Sequence, residues 1–313
     1  MKLSAITRLA ALPVAIALAA TLAACSSDAA APDSTPTNAL EGSDQASLSK
    51  YTTADVTPLD EIDISKLGLI TDGTLLVGTL SDAPPNIFIN EAGEFTGFDN
   101  ELLKAMAQKL GLKIEFASTD FSALLGQVQN KSFDVGSSSI STTDARRENV
   151  GFTNGYDFGY MALVTRDDAS IKSFDDLDEN ARIAVVRGTV QDDYVTNTLQ
   201  LEAVSFPDYN TAYANVRNGQ VDAWVAPSNQ AEGLVVEGDG TTIAESVINT
   251  QNFMAFAVNS DNQPLIDALN SALDAVIADG TWGTLVAEWY PGRAQPLDWT
   301  PGSAAALVPS RVG

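Results

Sequence analysis

Histidine is absent from the 313 residues, and cysteine occurs once, at position 25. The first absence removes the usual general base near neutral pH and the commonest metal ligand. The second excludes an intrachain disulfide and any cysteine-based metal cluster. Positive charge is scarce as well: 17 Lys and Arg stand against 41 Asp and Glu, a formal net charge of −24. Such a surface repels phosphate backbones, so nucleic acid is not expected as a partner. Neither a metal nor a cofactor is expected. What remains is 45% hydrophobic with ordinary Gly and Pro content, which suits one or two globular domains.

Residues 1–24 read as an export signal. Lys2 and Arg8 precede an Ala-rich apolar run broken by Pro13, too short and too interrupted for a membrane span. The run ends in Leu22-Ala23-Ala24-Cys25, which resembles the bacterial lipobox, whose cysteine becomes the first mature residue and carries lipid. Residues 25–68 are then expected to be a flexible stalk. Their first half is rich in Ser, Ala, Pro, Asp and Thr, and buries too little surface to offset the entropy of ordering. From about residue 55 apolar residues return and are expected to dock on the domain edge.

From residue 70 onward strand-like and helix-like runs alternate, the pattern of an α/β domain with a largely parallel sheet. Leu75-Leu76-Val77 reads as a strand. Leu102, Met106 and Leu110 recur at helical spacing before the stop at Gly111. Lys113-Ile114-Glu115-Phe116 alternates as a strand, 121–128 as a loop entering a helix, and Phe133-Asp134-Val135 as the next strand. Near the C-terminus, Leu265, Leu269, Leu273 and Val276 form one apolar stripe, and Trp282, Leu285, Val286 and Trp289 another. These stripes are core. The tail 301–313 is expected to fray.

Just after Val135 the chain turns to small hydroxyls, Ser137 to Ser139 and Ser141 to Thr143, followed by Arg146-Arg147. Backbone N–H groups and hydroxyls beside a permanently charged planar guanidinium are the parts that bind a small carboxylate. Taken alone, the run reads sooner as a Ser/Thr-rich loop capping a helix, with Arg146 in a surface ion pair.

The wider chain decides the reading. VGTLSDAPPN, GFDNELLKAMAQKLG, DFSALLGQVQNKSFDVGSSSISTTDARR, GFTNGYDFGYMALV, FDDLDENARIAVVRGTVQDDY, VRNGQVDAW and NQPLIDALNSALDAVIADGTWGTLVAEWY follow one another from about Leu75 to Tyr290. In this order and spacing they resemble the family 3 extracellular solute-binding proteins, the polar amino-acid-binding components of ABC importers. The resemblance implies a two-lobed, type II periplasmic-binding-protein-like fold with two crossover hinge strands, near Gly159–Met161 and Asn252–Met254. Lobe 1 would comprise 70–160 plus 255–300, and lobe 2 residues 161–254. It further implies a monomeric lipoprotein, anchored to the outer face of the cell membrane, that closes on a small carboxylate, foremost an amino acid, and delivers it to separate permease subunits.

By the same resemblance Arg146 holds the carboxylate with Ser141, the backbone around Ser139 supplies an adjacent contact, and Phe121 packs on the ligand. Gly188, Thr189 and Val190 would close onto the same carboxylate from lobe 2. Three positions depart from the family. Pro227 falls where an acid receives the α-amino group, Leu80 where many members carry an aspartate, and Ala83 where they place an aromatic. Asp82 and Glu232 are the candidates for replacing the missing acid. Two other classes compete: a dehydratase-like enzyme acting on a carboxylate, for which carboxyl groups alone could move protons, and a sensing or scaffolding domain whose cleft binds a partner.

Overall fold

The chain enters the described region through two single 3-10 turns, Leu59–Glu61 and Ile64–Lys66, and buries Leu67 at 2% exposure. Asn262 Nδ2 donates to the Leu67 carbonyl at 2.8 Å. The folded part therefore begins before residue 68, because Leu59, Ile62 and Leu67 already pack on the core. The computed structural model describes residues 56–293 and 301–302. The signal segment 1–24, Cys25 and most of the expected stalk lie outside the described residues, as does the tail from 303.

The first half of the fold contains β1 (Thr74–Thr79), the small hairpin sheet of β2 (Asp82–Ala83), β3 (Ile87–Ile89) and β4 (Phe95–Thr96), and then α1 (Phe98–Lys109), β5 (Lys113–Ser118), α2 (Phe121–Gln129), β6 (Val135–Ser141), α3 (Asp144–Arg147) and β7 (Gly151–Phe152). The long strand β8 (Asp157–Arg166) leads to β9 (Ile183–Val186), α4 (Val190–Asp193), β10 (Ala203–Phe206), α5 (Tyr209–Arg217), β11 (Ala223–Pro227) and α6 (Ser228–Leu234). Strand β12 (Thr241–Val258) returns to α7 (Gln263–Ala278) and α8 (Thr281–Trp289).

The main sheet runs β10-β9-β11-β8-β12-β6-β1-β5, with β7 on β12. Parallel pairs β1–β5 and β1–β6 make up one side, and parallel pairs β9–β10 and β9–β11 the other. Between them β8 and β12 lie antiparallel, from Thr241 opposite Arg166 to Met254 opposite Asp157. Their register slips between Asn249 and Phe253, so the ladder is interrupted within the stretch where crossovers were expected. Two parallel βα groups joined by two adjoining long strands make a two-lobed α/β fold. Asp157, which opens β8, is clamped by Arg293 through Nη2 at 2.7 Å and Nη1 at 3.0 Å, with both side chains almost wholly buried.

Helix α1 shows how the sequence builds the first lobe. Gly97 has φ 103°, and a Cβ there would sit 2.3 Å from the Asn86 carbonyl oxygen, so only glycine lets the chain turn into the helix. Asp99 and Glu101 occupy the first turn and Lys109 the last, complementing the helix dipole. Leu102, Leu103 and Met106 are fully buried. In α7, Asn262 caps the Leu265 N–H, and Leu265, Leu269, Leu273 and Val276 face the same core.

One boundary differs from the sequence expectation. The strand begins at Val135 rather than ending there, and the serines through Ser141 lie within it. Hydroxyl-bearing residues are held in a central strand because β1 and β12 satisfy its backbone, while Asn100 and Asp99 receive Ser137 and Ser139.

Candidate functional site

A narrow cavity lies between the two groups of elements. Phe121, Ser138, Ser139, Ser141 and Arg146 line it from α2, β6 and α3. Thr189, Val190, Gln191, Tyr209, Pro227 and Gln230 face them from the opposite lobe, and Met254 of β12 adds to the wall.

Arg146 is fixed from several directions. Thr143 caps its N–H, Nη1 donates to the Ser141 carbonyl at 2.7 Å, and Nη2 reaches across the cleft to the Gly188 carbonyl at 3.1 Å. Its guanidinium carbon lies 5.2 Å from the centre of the Phe121 ring. Burial pushes its pKa down to about 10, a pull that the neighbouring Tyr209 and Asp193 partly offset. The group stays charged at neutral pH, and its incomplete pairing leaves an attraction for an anion.

Beneath Ser139 lies a buried acid. Asp99 Oδ2 accepts from the Ser139 N–H at 2.5 Å, the Ser139 hydroxyl at 2.9 Å and the Tyr156 hydroxyl at 2.7 Å, and Asn86 Nδ2 donates to Oδ1 at 3.2 Å. Burial raises its pKa to about 6 against these hydrogen bonds. Ser139 adopts φ 43°, uncommon for a residue with a side chain. Four donors on one carboxyl group hold it there.

Across the cleft, Thr189 caps α4 by accepting from the Asp192 N–H, and its hydroxyl donates to the Val186 carbonyl at 2.7 Å. The Gly188 N–H is taken by Asp192 Oδ2 at 2.9 Å. The free N–H donors at this helix start are those of Val190 and Gln191 rather than of Gly188.

Residues 75–292 match the bacterial extracellular solute-binding proteins, family 3. The chain belongs to that family. It is 28% identical to the L-cystine-binding protein TcyJ of Escherichia coli over 221 residues, 70% of this chain and 83% of that one. It is also 28% identical to ABC transporter arginine-binding protein 1 of the same species, over 68% of this chain and 89% of that one. An ancestral arginine-binding protein bound to arginine superposes with a TM-score of 0.66 at 30% identity, covering 70% of this chain and 98% of its own. This solute-binding protein is the extracytoplasmic component of an ABC importer, with the type II two-lobed fold.

Of the positions singled out in the sequence, the structure brings Phe121, Ser139, Ser141, Arg146, Thr189, Val190 and Pro227 to one cavity. Gly188 touches Arg146 but faces a neighbouring cleft. Leu80 and Ala83 do not line the cavity: both are buried in the apolar core, Leu80 just after β1 and Ala83 where β2 pairs with β3. Asp82 and Glu232 are not on its wall either. The Ser139 N–H, expected to face a ligand, is committed to Asp99. The guanidinium of Arg147 packs at 5.3 Å on Phe152 and 5.7 Å on Phe253.

Sequence reasoning missed Tyr209, Gln191 and Gln230. Gln230 lies three residues past Pro227, close to one helical turn on, and that spacing was the available signal. Among the described residues no cluster of three or more His, Cys, Asp or Glu could hold a metal ion.

Proposed function

We propose that this protein captures a small carboxylate-bearing solute, foremost an amino acid, between its lobes, with Arg146 as the group that holds the carboxylate. The observation that carries this reading is the half-satisfied Arg146 guanidinium on the cavity wall, with Ser141 and Phe121 beside it and the unpaired N–H groups of Val190 and Gln191 opposite. Residues 70–160 plus 255–300 would move as one lobe and 161–254 as the other. Lobe closure would bring both sets of donors to one anion, and each charge-assisted hydrogen bond gains strength as water leaves. The solute ligands in the relatives' names, cystine and arginine, share a carboxylate and an α-amine, which supports an amino acid here. No catalytic role is proposed: the cavity wall carries no carboxylate or histidine to move a proton. Mass spectrometry of the solute released on denaturing the purified protein tests the reading. A carboxylic acid is expected, and a tightly held solute without one would contradict it.

The lipid anchor belongs to the same proposal. Cys25 is the sole cysteine and follows Leu22-Ala23-Ala24, and no helix among the described residues is long and apolar enough to cross a membrane. A single acyl chain binds membranes only marginally, so more than one chain on Cys25 is expected. Cys25→Ala should shift the protein from the membrane to the soluble fraction without changing solute affinity. A variant that stays with the membrane after a salt wash would contradict the anchor.

A further inference from the structure

The carboxylate accounts for one part of a bound solute, and the rest of the cavity wall has a definite chemistry of its own. Arg146 is its one charged side chain among the described residues, and no carboxylate joins it. Pro227 stands at the end of β11 with neither a side-chain donor nor an acceptor. One turn on, Gln230 is 2% exposed and faces the cavity. Its Nε2 makes only two long contacts, both 3.4 Å, to the Ala83 carbonyl and to Asn86 Oδ1, and no protein donor among the described residues reaches its Oε1. Ser138 is 4% exposed, and its hydroxyl has no hydrogen-bond partner. Tyr209 completes this wall, its hydroxyl kept protonated by burial and the nearby Asp82.

Resting on the carboxylate reading above, we propose that the remainder of the solute is uncharged and hydrogen-bonding, an amide or hydroxyl group, and that Gln230 is the residue that selects it. A buried hydroxyl without a partner and an amide held by stretched contacts are destabilising until a ligand completes them. A neutral amide supplies both a donor and an acceptor to Gln230, and Ser138 can serve either role. A lysine-like ammonium or an arginine-like guanidinium would instead add a second cation beside the solute's own α-ammonium, lose its water and meet no protein counter-charge on the wall. A second carboxylate would find neutral donors but no protein cation beyond Arg146, so it would lose more hydration on entering the cleft than a neutral amide does. Asn86, which itself donates to Ser139 Oγ at 2.7 Å, brings the Gln230 amide into contact with the first lobe. The selecting group is therefore in place only when the lobes are closed.

Calorimetric titration of the full mature chain with L-glutamine, L-glutamate and L-lysine tests this. Glutamine is expected to bind at least tenfold more tightly than either charged analogue. Gln230→Glu should reverse the order of glutamine and lysine, and Gln230→Leu should weaken glutamine about tenfold without improving lysine. Lysine binding the unaltered protein as tightly as glutamine would overturn the inference while leaving the carboxylate reading intact. Loss of that lysine binding in Asp82→Asn would then name Asp82 as the cation's receptor. An unchanged ligand order in both Gln230 variants would overturn it equally. Failure of all three ligands to bind would overturn this inference and, where the solute released from the purified protein is a carboxylic acid, leave the carboxylate reading standing.

Discussion

Arg146→Ala should weaken binding of the native solute by at least a hundredfold, close to 3 kcal/mol. The substitution removes the one positive charge that the described residues place on the cavity wall and leaves a carboxylate buried without its partner, which costs more than the pair itself contributes. It also removes the direct Nη2 contact to the Gly188 carbonyl across the cleft. Arg146→Lys should recover part of the affinity, because an ammonium keeps the charge but not the planar fork that reaches the Ser141 and Gly188 carbonyls together. Arg147→Ala provides the control. Its guanidinium packs on Phe152 and Phe253, so its loss should lower thermal stability and leave affinity nearly unchanged. Equal, small effects of both alanine variants on affinity would remove Arg146 from the site.

Gly233→Ala should lower affinity on the order of tenfold to a hundredfold without lowering the melting temperature of the unliganded protein. Gly233 lies in α6 of the second lobe, against the Pro84-Pro85 segment of the first. A Cβ at this position would come within 2.4 Å of the Pro84 carbonyl oxygen and 2.9 Å of Pro85 Cδ. Neither the backbone nor a proline ring can swing aside as a flexible side chain would, so the two lobes must separate. The helix itself gains about 1 kcal/mol in propensity from Gly to Ala, so a loss of binding cannot be ascribed to a weakened lobe. A closed state made less favourable by about 2 kcal/mol reduces the binding-competent fraction, and apparent affinity falls in proportion. Unchanged affinity would mean that closure does not use this seam.

The elements with strong periodicity were legible in the sequence. Leu102 and Met106 define α1, and Leu265, Leu269 and Leu273 define α7, because burial of one helical face leaves a mark in local spacing. Local pattern misled where polar groups are buried. Ser137 to Ser141 look like a loop, yet they form a central strand because Asn100 and Asp99, about forty residues earlier, receive their hydroxyls. Arg147 packs on two aromatic rings, one of them over a hundred residues away in sequence, which no local pattern signals. The first-lobe part of the cavity was readable because Ser141 and Arg146 are near neighbours in sequence. The opposite wall was not, since Tyr209 and Gln230 meet Arg146 only through the fold. Leu80 and Ala83 show the converse: near neighbours of the site in the sequence pattern, both are buried in the apolar core and away from the cavity.

Capture by lobe closure is the central claim, and small-angle scattering with and without solute tests it most directly. The protein first has to be stripped of co-purified ligand by denaturation and refolding. The radius of gyration should then fall on adding the native solute to the unaltered chain, because Arg146 and the α4 start converge on one anion. The same addition should leave Arg146→Ala unchanged at concentrations that saturate the unaltered protein. A radius that does not move on saturation, with binding verified in the same sample, would contradict the account.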